Sequence, residues 1–176
     1  ETKRTPAVEP GMYVARCYEM VHLGLCYDER YDRIRDEVRI GWELPGELKE
    51  FKQELGKQPV AVARNYTLSL HEKATLRSAL ESWTGKAFAA DEVKEFDITR
   101  LIGAPCMLNI VHDESGQYLR ILSVNPMPKG LECPAPVNKH KIFDFDENFI
   151  INPEEIFPDF IAERIKESDQ WASATN

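Results

Sequence analysis

Apolar and polar positions alternate with a period of two in five stretches of the chain, and between the third and fourth the spacing lengthens to that of a helix. Met12 to Leu25 predicts a long first strand with a kink at Gly24, after a loose, proline-containing arm over residues 1–10. Asp28 to Asp32 reads as a charged turn, and Val38-Arg39-Ile40-Gly41-Trp42-Glu43 as a second strand ended by Pro45-Gly46. Glu47 to Leu55 predicts a short helical excursion before Gly56. Ala61 to Leu68 is a third strand, rich in β-branched and aromatic residues, that passes directly into Ser69-Leu70-His71-Glu72. That tetrad has the form of a capping box, in which the Ser69 hydroxyl and the Glu72 carboxylate satisfy the first free amides of a helix. Leu76, Leu80 and Trp83 then share one helical face, and Gly85 stands where a left-handed C-cap is expected.

Asp97 to Leu101 predicts one helical turn closed by Gly103. Cys106 to His112 and Tyr118 to Val124 are the fourth and fifth strands, joined by the hairpin loop Asp113-Glu114-Ser115-Gly116. Pro126, Pro128, Gly130, Pro134 and Pro136 mark a linker. Beyond it Ile142 to Ile151 interleaves aromatic and acidic residues, and Pro158 predicts the start of a terminal helix with Ile161 and Ile165 on one face. The expected fold is mainly β: a five-stranded OB-fold barrel with a helix between strands 3 and 4, and a C-terminal helical or extended appendage. A mixed α+β sheet with one helix has similar spacing. The corresponding division is an arm (1–10), a barrel domain (11–130) and an acidic, aromatic extension (131–176).

Charge sharpens that division. From Leu131 onward ten acids face four bases, so the extension carries −6 of the total −8 and residues 1–130 are nearly neutral at −2. Strand binding follows local potential rather than net charge, but this balance disfavours a nonspecific, wholly electrostatic duplex binder. Hydrophobic content of 43% with 30% charged residues fits an ordinary globular domain. No apolar run approaches the roughly 20 residues needed to span a bilayer. The chain begins at Glu1, which leaves an upstream segment or cleaved signal open. Cys17, Cys26, Cys106 and Cys133 are far apart and read as reduced, mostly buried thiols of a cytoplasmic protein.

Several strands set a cation beside an aromatic ring. Arg16 and Tyr18 lie on one face of the first strand, with Ala15 and Cys17 opposite. Arg39 lies opposite Val38, Ile40 and Trp42; Arg64 and Tyr66 share a face of the third strand, and Tyr118 and Arg120 stand two apart in the fifth. A groove for single strands uses such pairs, cations for phosphate and flat rings on which bases stack for about 1–3 kcal/mol each. The candidate phosphate contacts are Arg16, Arg39, Arg64, Arg120 and Lys129, and the candidate stacking residues Tyr18, Tyr66 and Tyr118. Most aromatics in strands are packing residues with a hydrogen-bonded tip, and Trp42 and Trp83 belong to that class. Only the repetition of the pairing raises the binding reading above that one.

Catalytic and metal constellations find less support. His22, His71, His112 and His140 are dispersed, without zinc-like spacing. Cys106 and His112 share a strand face but stand about 20 Å apart at roughly 3.3 Å per residue, too far for nucleophile and base. Asp144, Asp146 and Glu147 suggest a divalent-ion loop, but no glycine occupies its turn, so a solvated acidic segment is preferred. No phosphate-cradling loop or nucleophile elbow occurs. The reading is of a non-enzyme without cofactor or metal.

The block from Tyr66 to Lys73, followed by Leu76-Arg77 and Leu80-Glu81-Ser82-Trp83, resembles a signature of small bacteriophage and prophage proteins encoded with replication and recombination genes. Gly11 to Tyr18, Ile40 to Pro45, Leu101 to Asn109 and Pro126 to Gly130 fit the same pattern, so the resemblance spans about residues 11–130. It implies an OB-fold single-stranded DNA-binding protein with sequence-tolerant binding in phage replication, recombination or repair, in the cytoplasm of the bacterial host. The alternative is an adaptor or inhibitor acting on a phage or host enzyme through the barrel and acidic tail. Expected partners are single-stranded DNA and, through residues 131–176, replication or recombination proteins, with no membrane; a homodimer is left open. The extension, too aromatic for a purely disordered tail, is expected to pack on the barrel or dock on a partner, and to compete with phosphate if it lies near the groove.

Overall fold

The strand that begins at Gly11 runs for 18 residues, and the other elements are arranged around it. In the computed structural model, which describes residues 3–176, this strand, β1 (Gly11–Asp28), pairs antiparallel with β2 (Arg33–Lys52), and β2 with β3 (Gly56–Thr67). On its other edge Gly11–Arg16 pair antiparallel with β4 (Pro105–His112), which continues into β5 (Leu119–Asn125). A bulge between Cys17 and Glu19 re-aims β1, and Glu19–Val21 then pair in parallel with β6 (Lys141–Phe143). The fold is mainly β: a six-stranded, largely antiparallel sheet of order β3-β2-β1-β4-β5, with β6 off this path on β1. At its two ends β3 and β5 lie side by side without a backbone ladder among the described residues; the Arg64 guanidinium donates to the Ile121 carbonyl at 3.5 Å.

Period two puts Ala15, Cys17, Ile40, Trp42, Val62, Leu108 and Ile110 on one buried face. α1 (Thr75–Thr84), which follows β3, lays Leu76, Leu80 and Trp83 into that core as their spacing predicts. The Trp83 ring stands 5.7 Å from Trp42, and its indole N–H donates to the Pro105 carbonyl at 3.0 Å. Gly85 closes the helix with φ 73° and ψ 15°, a left-handed conformation that a β-carbon disfavours.

Three expectations are corrected. The helix starts at Thr75 rather than Ser69, because the Ser69 hydroxyl accepts the His71 N–H at 3.2 Å and makes a local turn instead of a cap. Of Glu47 to Leu55, only Gln53–Leu55 is helical, as one 3-10 turn; Glu47 to Lys52 is strand. Leu48, Lys49, Glu50 and Phe51 are all exposed and offer no apolar stripe to support a helix, whereas a hairpin with Gly56–Pro59 satisfies their backbone. The sixth strand, β6, is an addition to the five expected.

The C-terminal extension packs against the sheet. α2 (Asp159–Lys166) buries Ile161 and Ile165 with Phe143 and Phe157 over Val21 and Leu23, forming a second apolar cluster on the outer face of β1. α3 (Asp169–Thr175) follows, its N-terminus capped by the Ser168 hydroxyl. Covered on both sides, β1 reads Met20-Val21 without alternation at its centre. Buried Glu43 anchors the linker by accepting the Val137 and Asn138 N–H groups at 2.9 and 3.0 Å and the Asn138 amide at 2.9 Å.

After β6, Asp144 accepts the N–H groups of Asp146 and Asn148 and the Asn148 side-chain amide. Burial works against its charge, but these donors and the neighbouring His22 outweigh it and hold the carboxyl below its ordinary value. A depressed folded-state value stabilises the fold above the unfolded carboxylate range, and that contribution disappears as pH falls through the folded value. Asp144→Ala is therefore expected to cost about 1–2 kcal/mol at pH 7, as loss of a cap-like acceptor does, and much less near pH 2. Thermal melts of both proteins at the two pH values measure it; an equal deficit at both would contradict the assignment.

Candidate nucleic-acid interface

The eight candidate residues do not converge on one surface. Arg16 is committed to backbone, donating to the carbonyls of Gly103 at 2.7 Å and Pro134 at 2.9 Å. Arg39 is paired with the buried Glu19 carboxylate at 3.0 Å, and its guanidinium lies 5.4 Å from the Phe160 ring centre. Tyr18 is half-buried, and burial pushes its phenol up to about 12.

Tyr66 corrects the face assigned to β3. It is 2% exposed and belongs to the main core with Val60 and Val62, so its ring offers no face to a base. Arg64 shares that parity but lies at the margin, half-buried, its guanidinium 4.8 Å from the Tyr66 ring centre. Tyr118 is 50% exposed and carries Arg4 over its ring at 4.9 Å, while Arg120 and Lys129 are solvent-facing.

A basic groove forms where the β1–β2 arm passes the connection from β3 to α1. Its volume is about 600 Å³, and Arg33, Arg35, Arg64 and Lys73 line it together with His71 and the hydroxyl-bearing Thr67, Ser69 and Thr75. Asp36 is the one acid in the lining, and it is engaged with His22 at 2.7 Å. Arg35 is held by Asp28 at 3.0 Å and the Thr67 hydroxyl at 2.9 Å. Arg33, Arg64 and Lys73 have no ion-pair partner among the described residues, so three cations face the groove uncompensated.

Aromatic surface lies alongside. Tyr31 and Tyr27, at the turn of the arm, are 57% and 58% exposed. The guanidinium of Arg33 lies 5.3 Å from the Tyr31 ring centre, and that of Arg35 5.9 Å, which sets the ring next to two cations of the groove lining. Of the eight sequence candidates, only Arg64 brings a charge to this lining; it has no ion-pair partner among the described residues, though its guanidinium also donates to the Ile121 carbonyl. Tyr31 escaped the sequence reading because Asp28 to Asp32 reads as a charged turn, Arg33 and Arg35 because no apolar alternation follows it before Val38, and Lys73 because it follows a tetrad read as a helix cap. The available signal was the interleaving Arg30-Tyr31-Asp32-Arg33-Ile34-Arg35, three arginines around an aromatic.

The groove's cations suit an anionic group, and among the described residues no hydroxyl of its lining is hydrogen-bonded to the His71 ring. Burial pushes the Cys17 thiol up to about 12 and the Cys106 thiol further, so both stay protonated. The acids Asp144, Asp146 and Glu147 do not converge as ligands; Asp144 is turned onto amides, and no cluster of three His, Cys, Asp or Glu residues suited to a metal occurs among the described residues. No described helix is long and apolar enough to cross a membrane. The chain matches no family model, no curated protein and no solved structure.

Proposed function

We propose that this protein binds single-stranded nucleic acid, DNA in the first instance, on an OB-type barrel. The observation that carries the reading is the uncompensated basic groove, with the exposed Tyr31 ring next to Arg33 and Arg35 of its lining. Cations that follow a backbone and a ring that stacks a base are what sequence-tolerant strand binding requires. The barrel reading is supported by the strand order, by the adjacency of β3 and β5, and by α1 falling between β3 and β4. The groove also lies on β2, β3 and the β1–β2 arm, where an OB barrel takes oligonucleotides. What the resemblance to phage replication proteins implies, and what we propose with it, is a role in DNA replication, recombination or repair in a bacterial cytoplasm.

Charge reversal tests the groove directly. Arg33 and Lys73 are exposed, so Arg33→Glu with Lys73→Glu is expected to leave the melting temperature nearly unchanged. The double variant should weaken binding to a single-stranded oligonucleotide roughly 30-fold or more, through two lost phosphate contacts and new repulsion. Unchanged affinity would place the strand elsewhere. The adaptor reading draws on a different observation, the apolar Leu48, Phe51 and Leu55 exposed around the β2–β3 turn. Absence of any strand binding at micromolar protein would favour it.

A further inference from the structure

The two apolar clusters meet at a seam that strand binding leaves unused. A cavity of about 370 Å³ opens there, between the loop that follows β6 and the connection from α1 to β4. Its floor is apolar, formed by Met20, Val38, Leu70 and Ile142 among others. Around the floor stand four carboxylates: Asp97 from the α1–β4 connection and Asp144 from the loop after β6 already accept local donors, whereas the exposed Asp146 and Glu147 of that loop have no partner among the described residues. No Lys or Arg lines the cavity, and the one basic side chain, His22, is already held by Asp36 at 2.7 Å.

We propose that this seam docks a basic, amphipathic segment of a partner protein, with an apolar side chain on the floor and Lys or Arg residues beside it paired with the rim. The charge pattern selects that occupant. A nucleic acid would bring phosphates against four carboxylates. An uncharged apolar segment would fill the floor but strip water from the rim acids without replacing it. A segment with cations around an apolar anchor satisfies both. Exposed rim charges contribute more to association rate and selectivity than to affinity, so the contact is weak, salt-sensitive and selective. The site is separate from the basic groove, and the proposal stands without strand binding.

The test titrates the isotopically labelled full chain with a synthetic peptide in which Leu and Phe alternate with Lys, following backbone amide shifts. A control peptide replaces Leu and Phe by Ser, and a second replaces Lys by Glu. The Leu/Phe/Lys peptide is expected to give saturable shifts at Ile98, Thr99 and from Ile142 to Asn148, with neither control doing so. Asp146 and Glu147 are exposed, so Asp146→Lys with Glu147→Lys is expected to fold normally and weaken the peptide about tenfold. The proposal is overturned by no saturation at about 1 mM peptide, by equal binding of the Ser control, by shifts confined to other surfaces, or by unchanged affinity in the charge-reversed variant. Strand binding of the same variant is read separately by mobility shift, so failure of one reading is distinguishable from failure of the other.

Discussion

Removing residues 138–176 is expected to lower the melting temperature by roughly 10–20 °C, at 2–4 °C for each kcal/mol lost in a chain of this size. The deletion takes away β6, α2 and α3 and uncovers Val21 and Leu23, which are 0% and 2% exposed in the intact protein. Re-exposing two large apolar side chains costs about 3–6 kcal/mol. It also strips β1 of its parallel partner and Glu43 of two of its three donors. The sequence leaves another outcome open, an acidic segment that shields the groove and whose loss tightens strand binding. Packing favours the first outcome, because no acid of the extension is ion-paired with a groove cation among the described residues. Instead Arg164 of α2 pairs with Glu37 of β2 at 2.8 Å, which ties the extension to the arm. Calorimetry beside a binding curve decides it: a truncated chain that melts as the intact one does and binds strands more tightly would sink this account.

Two tyrosines that look alike in the sequence are expected to behave in opposite ways. Tyr66→Ala should destabilise the protein by about 3–5 kcal/mol, as large-to-small changes of core aromatics do. Its ring sits with Val60 and Val62, and burial pushes its phenol up to about 12 despite the pull of Arg64. Tyr31→Ala should cost well under 1 kcal/mol of stability, since the ring is solvent-exposed, but weaken strand binding by about 1–3 kcal/mol. Urea melts and strand titrations of both variants read the two effects separately. Tyr31→Ala that binds normally would remove the stacking role, and Tyr66→Ala that melts normally would overturn the face assignment of β3.

That contrast shows how far the residues disclose the structure. Leu76, Leu80 and Trp83 were legible because one helical face buries them and nothing nearby competes. Ile161 and Ile165 were legible for the same reason, though the cluster they join depends on Val21 and Leu23, more than 130 positions away in the chain. Tyr66 carried a readable signal: Ala61, Ala63, Asn65 and Thr67 form the small, polar face of β3, which leaves Val60, Val62, Arg64 and Tyr66 for the other. The pairing of Arg64 with Tyr66 drew attention from that parity. Arg16 and Arg39 were not legible as spent charges, because the carbonyl of Gly103 and the carboxylate of Glu19 reach them only through folding. β6 was beyond the pattern altogether, since three residues in parallel pairing with a distant strand leave almost no periodicity.

The central claim, that the groove receives a single strand, is tested most directly by comparing a labelled oligonucleotide of roughly 10–30 nucleotides with its own duplex across a salt series. Three uncompensated cations, Arg33, Arg64 and Lys73, set the expected electrostatics. Clear preference for the single strand is expected, with log affinity falling against log salt at a slope of about −2, from roughly 0.7 per neutralised phosphate. Equal affinity for strand and duplex, or none for either at micromolar protein, would contradict it.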